Sequence, residues 1–168
     1  MATAAIGLAP ASLSFDIVEI GQLPLYNQDH DDVGTPPPAW TTFRQQIKRT
    51  DALLFVTPEY NRSVPGVLKN AIDVGSRPYG SSVFEGKPGA IISVSPGANG
   101  AFGANHHLRQ SLVFLNVPAM QQPEAYIGHA GELFDAHGQL SNDRTRDLIN
   151  KFMAAFAAWI ETHLAGRR

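Results

Sequence analysis

Two short stretches of this 168-residue sequence carry side chains and glycines spaced for ligand chemistry. The first is Pro58-Glu59-Tyr60-Asn61, which follows directly on the apolar run DALLFVT and continues through Arg62-Ser63-Val64-Pro65-Gly66. Proline stiffens the exit from such a run, a phenol offers a flat wall, and N–H groups of the turn can address a carbonyl or ring nitrogen of a planar heterocycle. The bland alternative is an ordinary polar turn. The second stretch is Ser95-Pro96-Gly97-Ala98-Asn99-Gly100-Ala101-Phe102-Gly103. Its G-x-x-G-x-x-G spacing would let the backbone approach a ligand and aim N–H groups at the mouth of a helix. It is neither the dinucleotide fingerprint G-x-G-x-x-G nor a P-loop, so alone it also fits a flexible turn.

Other chemistries find less support. His106 and His107 are adjacent, hence about 100° apart on a helix, and cannot chelate one ion together. The sequence has no H-x-x-x-H or H-E-x-x-H, and Asp29-His30-Asp31-Asp32 reads as a solvated loop rather than a cation site. A serine hydrolase would need G-x-S-x-G between strand and helix, which is absent. No Cys occurs, which excludes a disulfide framework, thiolate ligation and a Cys nucleophile.

The elements that would position the two stretches alternate. SFDIVEI (14–20), with Phe15, Ile17 and Ile20 alternating against Asp16 and Glu19, reads as a strand near a sheet edge. Residues 39–49 place Trp40, Phe43 and Ile47 on one helical face. DALLFVT is a buried strand covered on both faces, and residues 66–75 form a helix with Val67, Leu68, Ala71 and Ile72 inward. GAIISVS (89–95) is a second buried strand, followed by a helix through HHLRQSLVFL and a short last strand at VPAMQ. The stretch EAYIGHAGELFDAHGQL reads as a loop or hairpin excursion turning at DAHG. Ser141 would cap a long final helix bearing Leu148, Phe152, Phe156 and Trp159. Such alternation implies βαβ units, a parallel sheet with helices on both faces, and ligands at the carboxyl ends of the strands. Both stretches fall at those ends.

Composition sets the bounds. With 43% hydrophobic and 17% charged residues, one domain with a real core is expected over 1–168. A net charge of -2 supplies no field to gather nucleic acid or an anionic membrane. The first basic residue is Arg44, so the N-terminus lacks the basic region of a secretion signal, and no apolar stretch approaches the roughly 20 residues of a membrane span. A soluble, cytoplasmic protein is expected.

TPEYNRSVPGVLKNAID (57–73) resembles the signature of the NADPH-dependent FMN reductases, flavodoxin-like enzymes that include quinone, chromate and azo-dye reductases. IGQLPLYNQD, SPGANGAFGANHHLRQ and the terminal helix follow in that family's order. The resemblance implies a flavodoxin-like three-layer α/β sandwich that binds FMN, takes electrons from NADPH or NADH, and passes them to quinones, azo compounds, flavin or chromate-like acceptors. It implies that Pro58, Glu59, Tyr60 and Asn61 hold the isoalloxazine on one side, with Ser63 supporting that loop. The loop from Ser95 through Pro96, Gly97 and Gly100 to Gly103 would hold the other side. No protein acid or base is assigned. It further implies a homodimer or homotetramer, with Pro78, Tyr79 and the helix around Leu108 and Leu112 as contact surfaces. His106 departs from relatives that carry tyrosine there.

Members of that family open with a hydrophobic strand and a loop G-S-x-R-x-x-S-x-N that grips the FMN phosphate. MATAAIGLAP resembles the end of the helix that follows, so the central strand of a 2-1-3-4-5 order is expected to be missing, leaving SFDIVEI and DALLFVT about 10 Å apart. On that expectation the chain by itself binds FMN poorly. The alternative function is a flavodoxin-like binding or oligomerisation module that has lost its phosphate loop; DNA upstream of Met1 encoding the strand and loop in frame would favour the enzyme.

Overall fold

The structure, a computed structural model, describes residues 1–166. Its centre is a parallel sheet of three strands in the order β1 (Leu53–Thr57), β2 (Gly89–Val94), β3 (Ala125–Ile127). Leu53 to Thr57 pair in register with Gly89 to Ser93, and Ile92 to Val94 with Ala125 to Ile127. Among the described residues six α-helices surround it: α1 (Ala2–Gly7), α2 (Gln28–Asp32), α3 (Pro38–Lys48), α4 (Gly66–Gly75), α5 (Phe102–Phe114) and α6 (Asp143–Ala165).

Side chains alternate across the strands and divide the core in two. Leu53 and Ile91 face one cluster, which takes Trp40, Phe43 and Ile47 from α3, Ile72 and Val74 from α4, and Leu108 and Leu112 from α5. Ala90, Ile92, Ala125 and Ile127 face the other, closed by Ala5 of α1 and by Ile149, Phe152, Met153, Phe156 and Ile160 of α6. The result is three layers, with both crossover helices, α4 and α5, on one face. β1 is covered on both faces, Phe55 packing against the first cluster and Leu54 and Val56 against the second. These three remain half-buried because, among the described residues, no strand pairs with β1 on the side away from β2.

Local chemistry sets the element ends. Pro38 at the first position of α3 has its φ pre-set for a helix. α5 stops in a Schellman motif: Asn116 adopts φ +53, and Val117 N and Asn116 N return to the carbonyls of Leu112 and Val113.

Several sequence expectations need correction. SFDIVEI forms no strand. Leu13 and Phe15 pack on the α6 side while Val18 and Ile20 pack on the α3–α4 side, so the segment crosses between layers, and Ile17 is 61% exposed. VPAMQ makes only one parallel bridge, Gly89 to Ala119; the third strand lies further on, inside the stretch read as a loop excursion. The hairpin beyond it exists, with Phe134 bridged to Leu140 around Asp135–Gly138. The final helix is capped by Asn142 rather than Ser141, its side chain accepting from Thr145 N at 2.9 Å.

Residues 29–32 are not a solvated loop. They form part of α2, and Asp31 accepts a two-pronged bond from Arg44 at 2.8 and 2.7 Å. On α4, Val67 is 49% exposed while Asn70 is buried, accepting from Tyr26 N and donating to the carbonyls of Leu23 and Pro24. Leu108 and Leu112 are fully buried and offer no contact surface; the exposed apolar residues of that helix are Phe102, Val113 and Phe114.

Candidate functional site

β1 and β2 both run out at the same edge of the sheet, and each hands the chain to one of the two loops singled out above. At the end of β1, the buried Thr57 hydroxyl donates to Pro58 O at 2.8 Å, which fixes the exit. Tyr60 and Ser63 then exchange both main-chain hydrogen bonds at 3.0 Å around Asn61 (φ +51) and Arg62 (φ +64). Two consecutive left-handed residues between such a pair make a type I′ turn, which normally favours glycine. A non-glycine residue there carries local strain that the surroundings must hold. The turn consumes the N–H groups of Tyr60 and Ser63, so main-chain donation to a ligand is left to its neighbours. It also presents the Tyr60 ring outward, 63% exposed.

What holds the turn is the first turn of α5. Glu59 directs its carboxylate inward, Oε2 accepting from Ala104 N at 3.0 Å, and its other oxygen lies 3.7 Å from the Arg62 guanidinium. A carboxylate at the positive end of a helix is favourably placed. Ser63 Oγ meets His107 Nδ1 at 2.9 Å. Gly103 makes the contact possible: a Cβ there would stand 2.8 Å from Arg62 O and 2.9 Å from Glu59 Oε2.

The second loop is fixed from below. Ser93, fully buried on β2, donates from its hydroxyl to Gly100 O at 2.7 Å and accepts from Asn105 Nδ2 at 3.2 Å. Asn105 in turn accepts from Arg109 Nε, and Arg109 Nη1 donates to Met120 O. Ser95 Oγ donates to Gly97 O and accepts from Ala101 N, closing the loop on itself. Gly100 (φ +57) and Ala101 (φ +59) are both left-handed, and a Cβ on Gly100 would lie 2.4 Å from Tyr126 C.

The three glycines therefore do different things. Gly100 and Gly103 give their missing side-chain volume to β3 and to the first loop. Gly97 alone has nothing within 4 Å of a built Cβ, so its face is open. Among the described residues the N–H groups of Gly97, Ala98 and Asn99 donate to no protein acceptor, and Pro96 beside them is exposed. An exposed phenol and proline on one loop, and free N–H groups with an unobstructed glycine on the other, suit a flat heterocycle with carbonyl and nitrogen acceptors.

Sequence reasoning did not single out Ser93, Asn105 or Arg109 as supports. The run HHLR gave one available signal, since neighbouring residues on a helix point in different directions. His107 reaches the first loop, whereas His106 Nε2 meets Tyr126 OH on β3 at 2.9 Å. Tyr126 donates its proton to Glu124 at 2.7 Å, so His106 is the donor in the other bond. Burial, reinforced by the Glu124 carboxylate, pushes the Tyr126 phenol up to about 12, and it remains a donor at any physiological pH. Phe102 lies tilted against His106, 4.2 Å between ring centres.

The sequence model of the NADPH-dependent FMN reductases matches residues 1–132. The chain is 63% identical over 158 residues to a quinone reductase of Pseudomonas putida, covering 94% of this chain and 84% of that protein. It is 51% identical over 160 residues to a 2-hydroxy-1,4-benzoquinone reductase of a Burkholderia species, covering 95% and 86%. The solved structure of FerB, a flavoenzyme NAD(P)H:(acceptor) oxidoreductase from Paracoccus denitrificans, superposes with a TM-score of 0.89 at 40% identity, covering 96% of this chain and 88% of that one.

Proposed function

Because the chain belongs to the NADPH-dependent FMN reductases, a flavodoxin-like α/β family of oxidoreductases that use FMN and NAD(P)H, we propose that its two sheet-edge loops hold the FMN ring between them. Pro58, Glu59, Tyr60 and Asn61 form one wall and the loop Ser95–Gly103 the other. The observation that carries this is the open face at Gly97, where unpaired N–H groups adjoin a glycine whose side-chain position is vacant.

Within that site the Tyr60 ring and Pro58 supply the flat wall. The N–H groups of Gly97, Ala98 and Asn99 are the donors available to ring carbonyls or nitrogens. Ser63, Glu59, Gly100 and Gly103 keep the two loops in place and need not touch the ring with their side chains. When bound, FMN supplies the redox chemistry, accepting hydride from NAD(P)H and returning electrons to a second substrate. The protein's part is to bind, to orient and to leave one ring face accessible in turn to donor and acceptor. Small planar acceptors, quinones first, fit a pocket with few directional contacts; azo compounds, free flavin and chromate-like oxyanions belong to the same proposal.

The working unit is a homodimer or homotetramer. Exposed Val67, Tyr79, Val113 and Phe114 on the α4–α5 face leave apolar surface for a second subunit, and light scattering on the purified protein tests this. Among the described residues no helix is long and apolar enough to cross a membrane.

The direct test is the visible absorbance of the purified protein with and without added FMN, followed by NADPH oxidation with a quinone as acceptor. With FMN supplied in excess, bound flavin and turnover are expected. A folded protein that under excess FMN neither binds it nor oxidises NADPH contradicts the proposal.

A further inference from the structure

A chain of hydrogen bonds runs beneath the second loop and surfaces at its open face. Arg109, one turn after Asn105 on α5, donates from Nε to Asn105 Oδ1 and from Nη1 to Met120 O, both at 3.0 Å. Asn105 Nδ2 donates to Ser93 Oγ at 3.2 Å, and the Ser93 hydroxyl donates to Gly100 O at 2.7 Å, the nearer acceptor, Ala125 O lying at 3.3 Å. That carbonyl shares its peptide group with the Ala101 N–H, which donates to Ser95 Oγ at 3.2 Å, and Ser95 Oγ donates to Gly97 O at 3.0 Å. Gly97 O accepts further from His129 N at 3.3 Å and Gly100 N at 3.5 Å. Its peptide partner is the Ala98 N–H, exposed and, among the described residues, donating to no protein acceptor.

Chemistry fixes the direction of each link. A guanidinium has donors only, so Asn105 turns its oxygen to Arg109 and its amide protons to Ser93. Having accepted, Ser93 sends its one proton onward to Gly100. At the second serine the Ala101 N–H can only donate, so Ser95 accepts and its proton goes to Gly97. These five bonds all point the same way, from a permanent cation toward a free N–H on the ligand side. The inner links are shielded from water, Ser93 and Asn105 both being fully buried. In such surroundings bonds in a chain polarise one another, each strengthening the next by about 10–30%.

Hydride uptake brings two electrons and one proton and leaves the flavin ring richer by one negative charge. A stronger N–H donor therefore holds the reduced ring more tightly than the oxidised one. Resting on the reading of the second loop as a wall of the FMN site, we propose that Arg109 is a positioning residue that acts through this chain, strengthening the Ala98 N–H as a donor to the ring and so favouring reduced over oxidised FMN. It works through the loop and not by contact with the ring.

The test uses the whole chain with FMN in excess. It reads the midpoint potential of the bound flavin by equilibration with a dye of known potential, beside the dissociation constant of oxidised FMN by fluorescence quenching. Arg109→Gln removes the cation. Ser95→Ala cuts the outer link at a half-buried position and leaves Arg109 and the buried links in place, so it keeps the test decisive should Arg109→Gln fail to fold. Each variant should lower the preference for reduced over oxidised FMN about two- to tenfold, a fall in potential of about 30 mV at the tenfold end for a two-electron couple. Because both cut one chain, the double variant should fall no further than the lower of the two single variants. In the FMN-free protein the Ala98 amide nitrogen resonance should move in the same direction in both. The proposal is overturned if either folded variant leaves the potential unchanged, or if the two shifts add. Wild type that binds no FMN in excess fails the underlying reading instead, and the Ala98 resonance still reports whether the chain reaches the loop.

Discussion

Gly97 and Gly100 stand three residues apart in one loop, and their substitution should separate cofactor binding from folding. At Gly100 an added Cβ meets main-chain atoms of β3 at 2.4, 2.7 and 2.8 Å, and φ is +57. Main-chain atoms cannot swing aside as a flexible side chain does. Gly100→Ala therefore incurs about 1–2 kcal/mol for a left-handed alanine and about 1–3 kcal/mol for overpacking. At about 2–4 °C per kcal/mol for a protein of this size, melting should fall by roughly 4–20 °C. At Gly97 nothing lies within 4 Å and φ is not left-handed, so Gly97→Val should change stability by no more than about 0.5 kcal/mol. Its side chain would instead occupy the face offered to the ring, weakening FMN by about tenfold or more, equivalent to ~1.4 kcal/mol. Thermal melting by circular dichroism and FMN titration by fluorescence quenching read the two effects independently. If Gly97→Val binds FMN as tightly as wild type, the second loop is not a wall of the site. If Gly100→Ala melts with wild type, the packing argument at β3 is wrong.

Tyr60→Ala should leave melting unchanged, since the ring is mostly exposed, yet raise the FMN dissociation constant roughly two- to tenfold, as loss of one aromatic contact does; an unchanged constant removes Tyr60 from the site. Ser93→Ala strands the Gly100 carbonyl and an Asn105 amide proton in the core and should cost about 1–3 kcal/mol, seen as a lower urea midpoint. Hydrogen bonds from Arg44 hold the Asp31 carboxyl below its ordinary range. That stabilisation is complete above the unfolded carboxylate value and is lost as pH falls through the lower folded one. Urea midpoints taken between neutral pH and pH 2 should thus fall less steeply for Asp31→Asn than for wild type, and parallel curves would show that the pair contributes nothing.

The sequence announced its long elements well, and the reasons are physical. α3, α4, α5 and α6 each carry apolar residues at helical spacing over at least ten residues, and β1 and β2 are unbroken apolar runs. What was illegible depended on partners. Phe15, Ile17 and Ile20 look like one strand, but alternation cannot reveal whether a neighbour exists to complete a ladder or whether the segment passes from one layer to the next. β3 is three residues long, too short to stand out from the polar stretch around it. At the candidate site the glycine pattern was visible, whereas its division of labour was not. Only packing distances show that Gly100 and Gly103 face protein while Gly97 faces open space. The buried relay from Arg109 through Asn105 to Ser93 draws on residues that would pass for ordinary helix and strand positions.

The two tryptophans lie on opposite faces of the sheet. Trp40 is fully buried beside α4, its indole N–H bound to Pro24 O, while Trp159 packs against the α6 cluster and donates to Pro118 O. Each is thus a private fluorescent reporter of one layer. With one replaced by phenylalanine in turn, the emission of the other follows its own half of the molecule through an unfolding transition. Coincident curves would mean that the three-stranded sheet transmits collapse from one face to the other, and displaced curves that one layer can melt while its opposite still stands.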